Sequence, residues 1–153
     1  LRLIQVREPG MAPDELEAFA RRVLALAHEH DARVLVNGDE ALARRCGADG
    51  VHVASVQLMQ SNERPASLLM GASCHNAAEL AQAAALAADF IVLSPVLPTP
   101  THPEAAGMGW AQFAQRTRDY PLPVYALGGM KPELLDTAMQ HGAHGIALLS
   151  GIW

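Results

Sequence analysis

CGADGVHV, residues 46–53, returns as HGAHGIAL, residues 141–148, and more loosely as AADFIV, residues 87–92. Each copy reads as a helix end closed by a small residue, followed by an apolar run. A run that does not alternate with polar residues suits a strand buried on both faces, and such strands belong to parallel sheets with crossover helices. A joint from helix back to buried strand that recurs along one chain suits a (β/α) barrel better than an open sheet.

Working outward from these joints, strands and helices alternate throughout. LRLIQVR (1–7) is a strand broken at Pro9-Gly10, and Asp14 can cap a helix over 15–30 that repeats Leu16, Phe19, Val23, Leu24 and Leu26 at helical spacing. RVLVN (33–37) is the next strand, then a helix over 39–46 and a strand over 50–53. The stretch from Ala54 through Pro65 is polar and weakly patterned and is assigned no element. Strands follow at 68–74, 90–94, 123–127 and 145–149, with helices at 76–87 (Asn76 as cap), 110–117 and 132–141. The expectation is an α/β fold, a (β/α)8 TIM barrel with seven visible βα units. Both ends look cut: Leu1 lies inside a strand pattern and Trp153 just past another, so residues 1–153 read as one barrel domain from a longer chain, lacking the first strand and last helix.

Half of the 153 residues are hydrophobic and 18% are charged, which suits one globular domain with a real core. The net charge of -5 argues against a nucleic-acid binder, which needs a basic face. No apolar run approaches the roughly 20 residues of a membrane span. Cys46 and Cys74 lack metal-type spacing, so a reduced, cytoplasmic setting is expected.

In a (β/α) barrel, chemistry sits at the C-terminal ends of the strands. Those ends carry Gln5 and Arg7, Asn37, His52, Ser73 to His75, Ser94 with Thr99 and Thr101, Gly128-Gly129, and Leu149-Ser150-Gly151. This set is rich in neutral donors and glycines and poor in carboxylates, so it suits a small phosphorylated ligand. Gly128-Gly129 and Ser150-Gly151 end the sixth and seventh visible strands, where backbone amides and a helix N-terminus can cradle a phosphate. Arg7 can meet a phosphate with two parallel hydrogen bonds, and Gln5 can bond a planar heterocycle. His52 and His75 read as satisfied structural groups, and Cys74 as buried and inert.

DFIVLSPVLPTPTHPEAAGMGW (89–110) joins a buried strand to a stiff loop with hydroxyls, and with it the chain resembles the thiamine-phosphate synthase/TenI family. The matching pieces are LIQVRE (3–8), RVLVNGD (33–39), GADGVHV (47–53), GASCHN (71–76), SPVLPTPTHP (94–103), YALGGM (125–130) and GIALLSGI (145–152), in the family's order. The resemblance implies a TIM barrel that joins an aminopyrimidine diphosphate to a thiazole phosphate with loss of pyrophosphate. It places Gln5, Arg7, Asn37 and Ser73 at the pyrimidine diphosphate, Thr99 and Thr101 in the loop over both substrates, and Gly129, Leu149 and Ser150 at the thiazole phosphate, where the strand-end reading also puts Gly128. Arg7, Ser73 and His102 are the expected catalytic side chains. The family's domains also occur fused behind a Nudix hydrolase, and such a fusion is a further expectation for this chain.

Several positions depart from the family pattern. Its Arg-Glu-Lys is Arg7-Glu8-Pro9, its Val-Asn-Asp is Val36-Asn37-Gly38, its carboxylate after His52 is Gln57, and the lysine of its threonine loop is His102. Mg²⁺ is thus a possible cofactor whose expected carboxylate ligands are missing, and no metal ligand is assigned. Two other readings stand beside the synthase: a TenI-like thiazole tautomerase, whose expected histidine falls at Pro95 here, and a non-catalytic thiazole-phosphate-binding module fused to a Nudix hydrolase.

Overall fold

The computed structural model describes residues 2–98 and 106–149. Seven parallel strands form one sheet in sequence order: β1 (Leu3–Val6), β2 (Arg33–Asn37), β3 (Gly50–Val53), β4 (Leu69–Cys74), β5 (Phe90–Leu93), β6 (Val124–Ala126) and β7 (Gly145–Ile146). Every pairing between neighbours is parallel, with helices in the crossovers. The sheet curls, because Leu3, Leu35, Leu69, Phe90, Val92, Tyr125, Leu127 and Ala147, drawn from both its ends, share one apolar cluster on the concave face. The seven βα units expected of a (β/α) barrel are observed, as seven parallel strands in a curled half-barrel with alternating helices.

The helices are α1 (Pro13–Glu29), α2 (Glu40–Cys46), α3 (Ser55–Gln60), α4 (Ala77–Ala85), α5 (Gly109–Thr117) and α6 (Leu135–Gln140), the last preceded by a 3₁₀ turn at Pro132–Leu134. α1 buries Ala20, Leu24 and Ala27, spaced four and three residues apart on one face, against the outer side of β1 and β2. Asp14 is not its cap: the cap position is Ala12, Pro13 starts the helix, and Asp14 lies in the first turn, where its charge favours the exposed amides. Asn76 does cap α4, its side chain accepting from the Glu79 amide.

Two element assignments are corrected. The stretch after Ala54 contains α3, and the last strand is confined to Gly145–Ile146 instead of running to Leu149. α3 hides its pattern because Val56 and Met59 are 67% and 48% exposed, leaving Leu58 as its buried residue.

The recurring joint has one geometry in all three places. Gly47, Ala87 and Gly142 have φ of 77, 51 and 92, the left-handed turn that closes a helix. Two residues on, the amides of Asp49, Asp89 and His144 donate to the Val34, Met70 and Val124 carbonyls of the preceding strand, at 3.0, 2.9 and 2.7 Å. In the first two copies the aspartate returns a bond. Asp49 accepts from the Val34 amide at 2.8 Å and lies 2.9 Å from His28, while Asp89 accepts from the Met70 amide at 2.8 Å and from Arg64 at 2.7 Å. Burial opposes ionisation of Asp49, but these bonds outweigh it and hold its carboxyl below the usual range.

Candidate functional site

Strand register decides which side chains meet on the concave face. Gln5 pairs with Leu35, and the next row climbs Asn37–His52–Gly71–Phe90, followed by Ser73–Val92–Tyr125. Because alternate residues share a face, the inward rows run from Leu3 to Gln5, Leu35 to Asn37 and Leu69 to Ser73. Apolar residues fill the bottom and polar ones end at the top. The site is the polar upper edge of an otherwise apolar interior.

Two hydrogen-bonded pairs organise that edge. Gln5 Nε2 donates to Asn37 Oδ1 at 2.7 Å, which joins two residues expected at the heterocycle and the diphosphate. His52 Nε2 and Ser73 Oγ lie 2.9 Å apart, and His52 is only 4% exposed. Burial disfavours the imidazolium and the Arg7 charge adds to this, so the His52 pKa falls from 6.5 to about 4. His52 is therefore neutral at pH 7. It is the buried group the sequence suggested, but its partner is a predicted site residue. Arg7 is exposed just past β1.

At the end of β5, Ser94 is buried and held by His75, whose Nδ1 lies 2.9 Å from the Ser94 carbonyl oxygen and 3.2 Å from its Oγ. Arg116 donates to the His75 carbonyl at 2.8 Å, and the His75 amide donates to Glu79 at 2.6 Å. His75 thus anchors the start of the loop after β5. Its neighbour Cys74 is fully buried, with a thiol pushed up to about 12 by burial and by Glu79, which suits an inert packing group.

Gly128 and Gly129 follow β6 with φ of 94 and 65. A Cβ on Gly128 would lie 2.8 Å from Pro95 Cα, and one on Gly129 would lie 2.8 Å from both Leu97 Cβ and the Pro98 carbonyl oxygen. The Val96 and Leu97 amides donate to the Leu127 and Gly128 carbonyls at 2.9 and 3.1 Å. These glycines are therefore required by close packing of the β5 loop, whatever else their backbone binds. Leu149 is 64% exposed past β7. Thr99, Thr101, His102 and Ser150 lie outside the described residues.

The residues present do not fit a Mg²⁺ site of the implied kind. Gln57 Nε2 donates to the Gly38 carbonyl at 2.9 Å, and a Cβ on Gly38 would meet Gln57 Oε1 at 2.9 Å. A neutral amide thus lies against position 38, and neither position 38 nor position 57 carries a carboxylate. Asp39 caps α2, its Oδ1 accepting from the Leu42 amide at 2.8 Å. Among the described residues no His, Cys, Asp or Glu side chains gather in threes to hold a metal. Among the same residues no helix is long and apolar enough to cross a membrane.

Known proteins share this architecture and its sequence. The thiamine-phosphate synthase of Thiobacillus denitrificans is 34% identical over 155 residues, spanning 98% of this chain and 73% of its own. That of Thioalkalivibrio sulfidiphilus is 32% identical over 156 residues, with 99% and 74% covered. A thiamine phosphate pyrophosphorylase structure from Pyrococcus furiosus superposes with a TM-score of 0.81 at 25% identity, over 97% of this chain and 72% of that one. A KDPGal structure at 17% identity, with a TM-score of 0.64, shares the fold alone. The family model described as thiamine monophosphate synthase matches residues 1–152, and the chain belongs to that family.

Proposed function

We propose that the chain is a thiamine-phosphate-synthase-like protein of thiamine biosynthesis with an altered diphosphate site. It holds an aminopyrimidine diphosphate with Gln5, Arg7, Asn37 and Ser73, and a thiazole phosphate at the ends of β6 and β7, with Thr99, Thr101 and His102 as further candidate contacts. The observation that carries this reading is the meeting of Gln5–Asn37 and His52–Ser73 on one polar edge. The names and coverage of the relatives support it.

In the reaction, the thiazole nitrogen's lone pair forms a bond to the pyrimidine methylene carbon. The bond from that carbon to the diphosphate oxygen breaks, and its electron pair leaves with pyrophosphate. The negative charge that develops on the departing pyrophosphate is stabilised by Arg7, aided by the neutral donors Asn37 and Ser73. Losing one preorganised contact of this type lowers kcat on the order of 10²–10³-fold. The positions of two carboxylates and two lysines are changed together here, so turnover is slow and thiazole phosphate binding outlasts it.

A second reading, a non-catalytic thiazole-phosphate-binding module, draws on the same Gly38–Gln57 closure. Calorimetry with the thiazole phosphate tests the shared part. Saturable binding is expected, and its absence removes both readings. Product formation after binding separates the slow synthase from the module.

A further inference from the structure

His52 and Ser73 belong to different strands, and their contact has a directional consequence. A neutral imidazole has one N–H and one bare nitrogen, while a serine hydroxyl has one proton and two lone pairs. If Nε2 is bare, Ser73 spends its proton on His52 and turns only lone pairs to the barrel mouth, which repels an anion. If Nε2 carries the proton, it donates to Ser73 Oγ and leaves the serine's proton for a ligand.

The structure favours one arrangement. Gly71, beside His52 in the sheet, has no side chain, and a Cβ there would lie 2.8 Å from His52 Nδ1 and 2.5 Å from Phe90 Cζ. Nδ1 therefore lies over the Gly71 Cα face, and among the described residues it has no hydrogen-bond acceptor, whereas an Nε2 proton has one in Ser73 Oγ. Phe90, which flanks Gly71 on its other strand neighbour, lies beside the His52 ring with centroids 6.1 Å apart.

We propose that His52 is a positioning residue, whose Nε2–H donates to Ser73 so that the Ser73 hydroxyl donates to a phosphoryl oxygen at the mouth. This rests on the reading above that Ser73 meets the diphosphate. It adds a requirement for the Nε2–H tautomer, which a merely structural histidine does not need.

The test uses the full chain and inorganic pyrophosphate. Long-range ¹H–¹⁵N correlation spectra should show His52 protonated at Nε2 and bare at Nδ1, both free and with pyrophosphate. Ser73→Ala should weaken pyrophosphate binding by about tenfold, the scale of one hydrogen bond to a charged group. His52→Leu should weaken it equally, His52→Gln should retain most of the affinity through its amide, and His52→Leu added to Ser73→Ala should change nothing further. A proton on Nδ1, or losses that multiply in the double variant, would overturn the proposal. Unchanged binding in Ser73→Ala, or none in the wild type, would instead remove the reading it rests on. The wild-type tautomer still decides the role of His52 if His52→Leu does not fold.

Discussion

His52 makes stability fall in acid by an amount the structure sets. Its pKa is 6.5 in an unfolded chain and about 4 in the fold, because burial and then Arg7 disfavour the cation. Below the unfolded value the open chain takes up a proton that the folded chain refuses. Stability is therefore unaffected by this group above pH 6.5, and is lost as the pH falls from 6.5 towards 4. At about 1.4 kcal/mol per pKa unit the full loss is about 3 kcal/mol. Urea unfolding of the wild type and of His52→Gln, at about pH 7.5 and about pH 4.5, isolates this group from the other titrations. The wild type should lose about 2–3 kcal/mol more than the variant over that range. An equal loss in both proteins would refute the reasoning, and a folded-state His52 pKa near 6.5 by NMR would show why.

Other substitutions test the joints and the loop. Ala87→Gly should stabilise the chain by about 0.5–1 kcal/mol in thermal melts, since relief of the left-handed turn at φ 51 outweighs the added freedom of glycine. Asp89→Ala should cost about 1–3 kcal/mol by urea unfolding, because the amide of fully buried Met70 loses its acceptor. Gly128→Ala should cost about 1–3 kcal/mol or more, as a side chain at φ 94 would press on Pro95. Arg7→Leu should weaken pyrophosphate binding in calorimetry and raise the His52 pKa, since both effects follow from its charge.

The fold was legible because strands buried on both faces leave unbroken apolar runs, and because the helix-to-strand joint recurs with its left-handed residue in the same place. Helix α3 was hidden, since Val56 and Met59 face outward and the apolar spacing does not mark its buried side. Gln5, Asn37 and Ser73 were readable as polar ends of inward rows. The pairing of His52 with Ser73 was not, because it joins residues 21 apart on neighbouring strands and no local pattern records it. The glycines after β6 suggest a tight turn or a phosphate cradle from sequence, and contact with Pro95 and Leu97 gives them a packing reason that depends on the loop's path. Gln57 was read as a lost carboxylate, and only the structure shows its amide lying across Gly38.

We propose a family site in which a neutral hydrogen bond from Gln57 to the Gly38 carbonyl stands at the metal corner. Its most direct test is the rate of thiamine phosphate formation from aminopyrimidine diphosphate and thiazole phosphate, measured with and without Mg²⁺. Slow formation that Mg²⁺ barely changes is the expected result, and brisk synthesis that collapses when Mg²⁺ is chelated would contradict it.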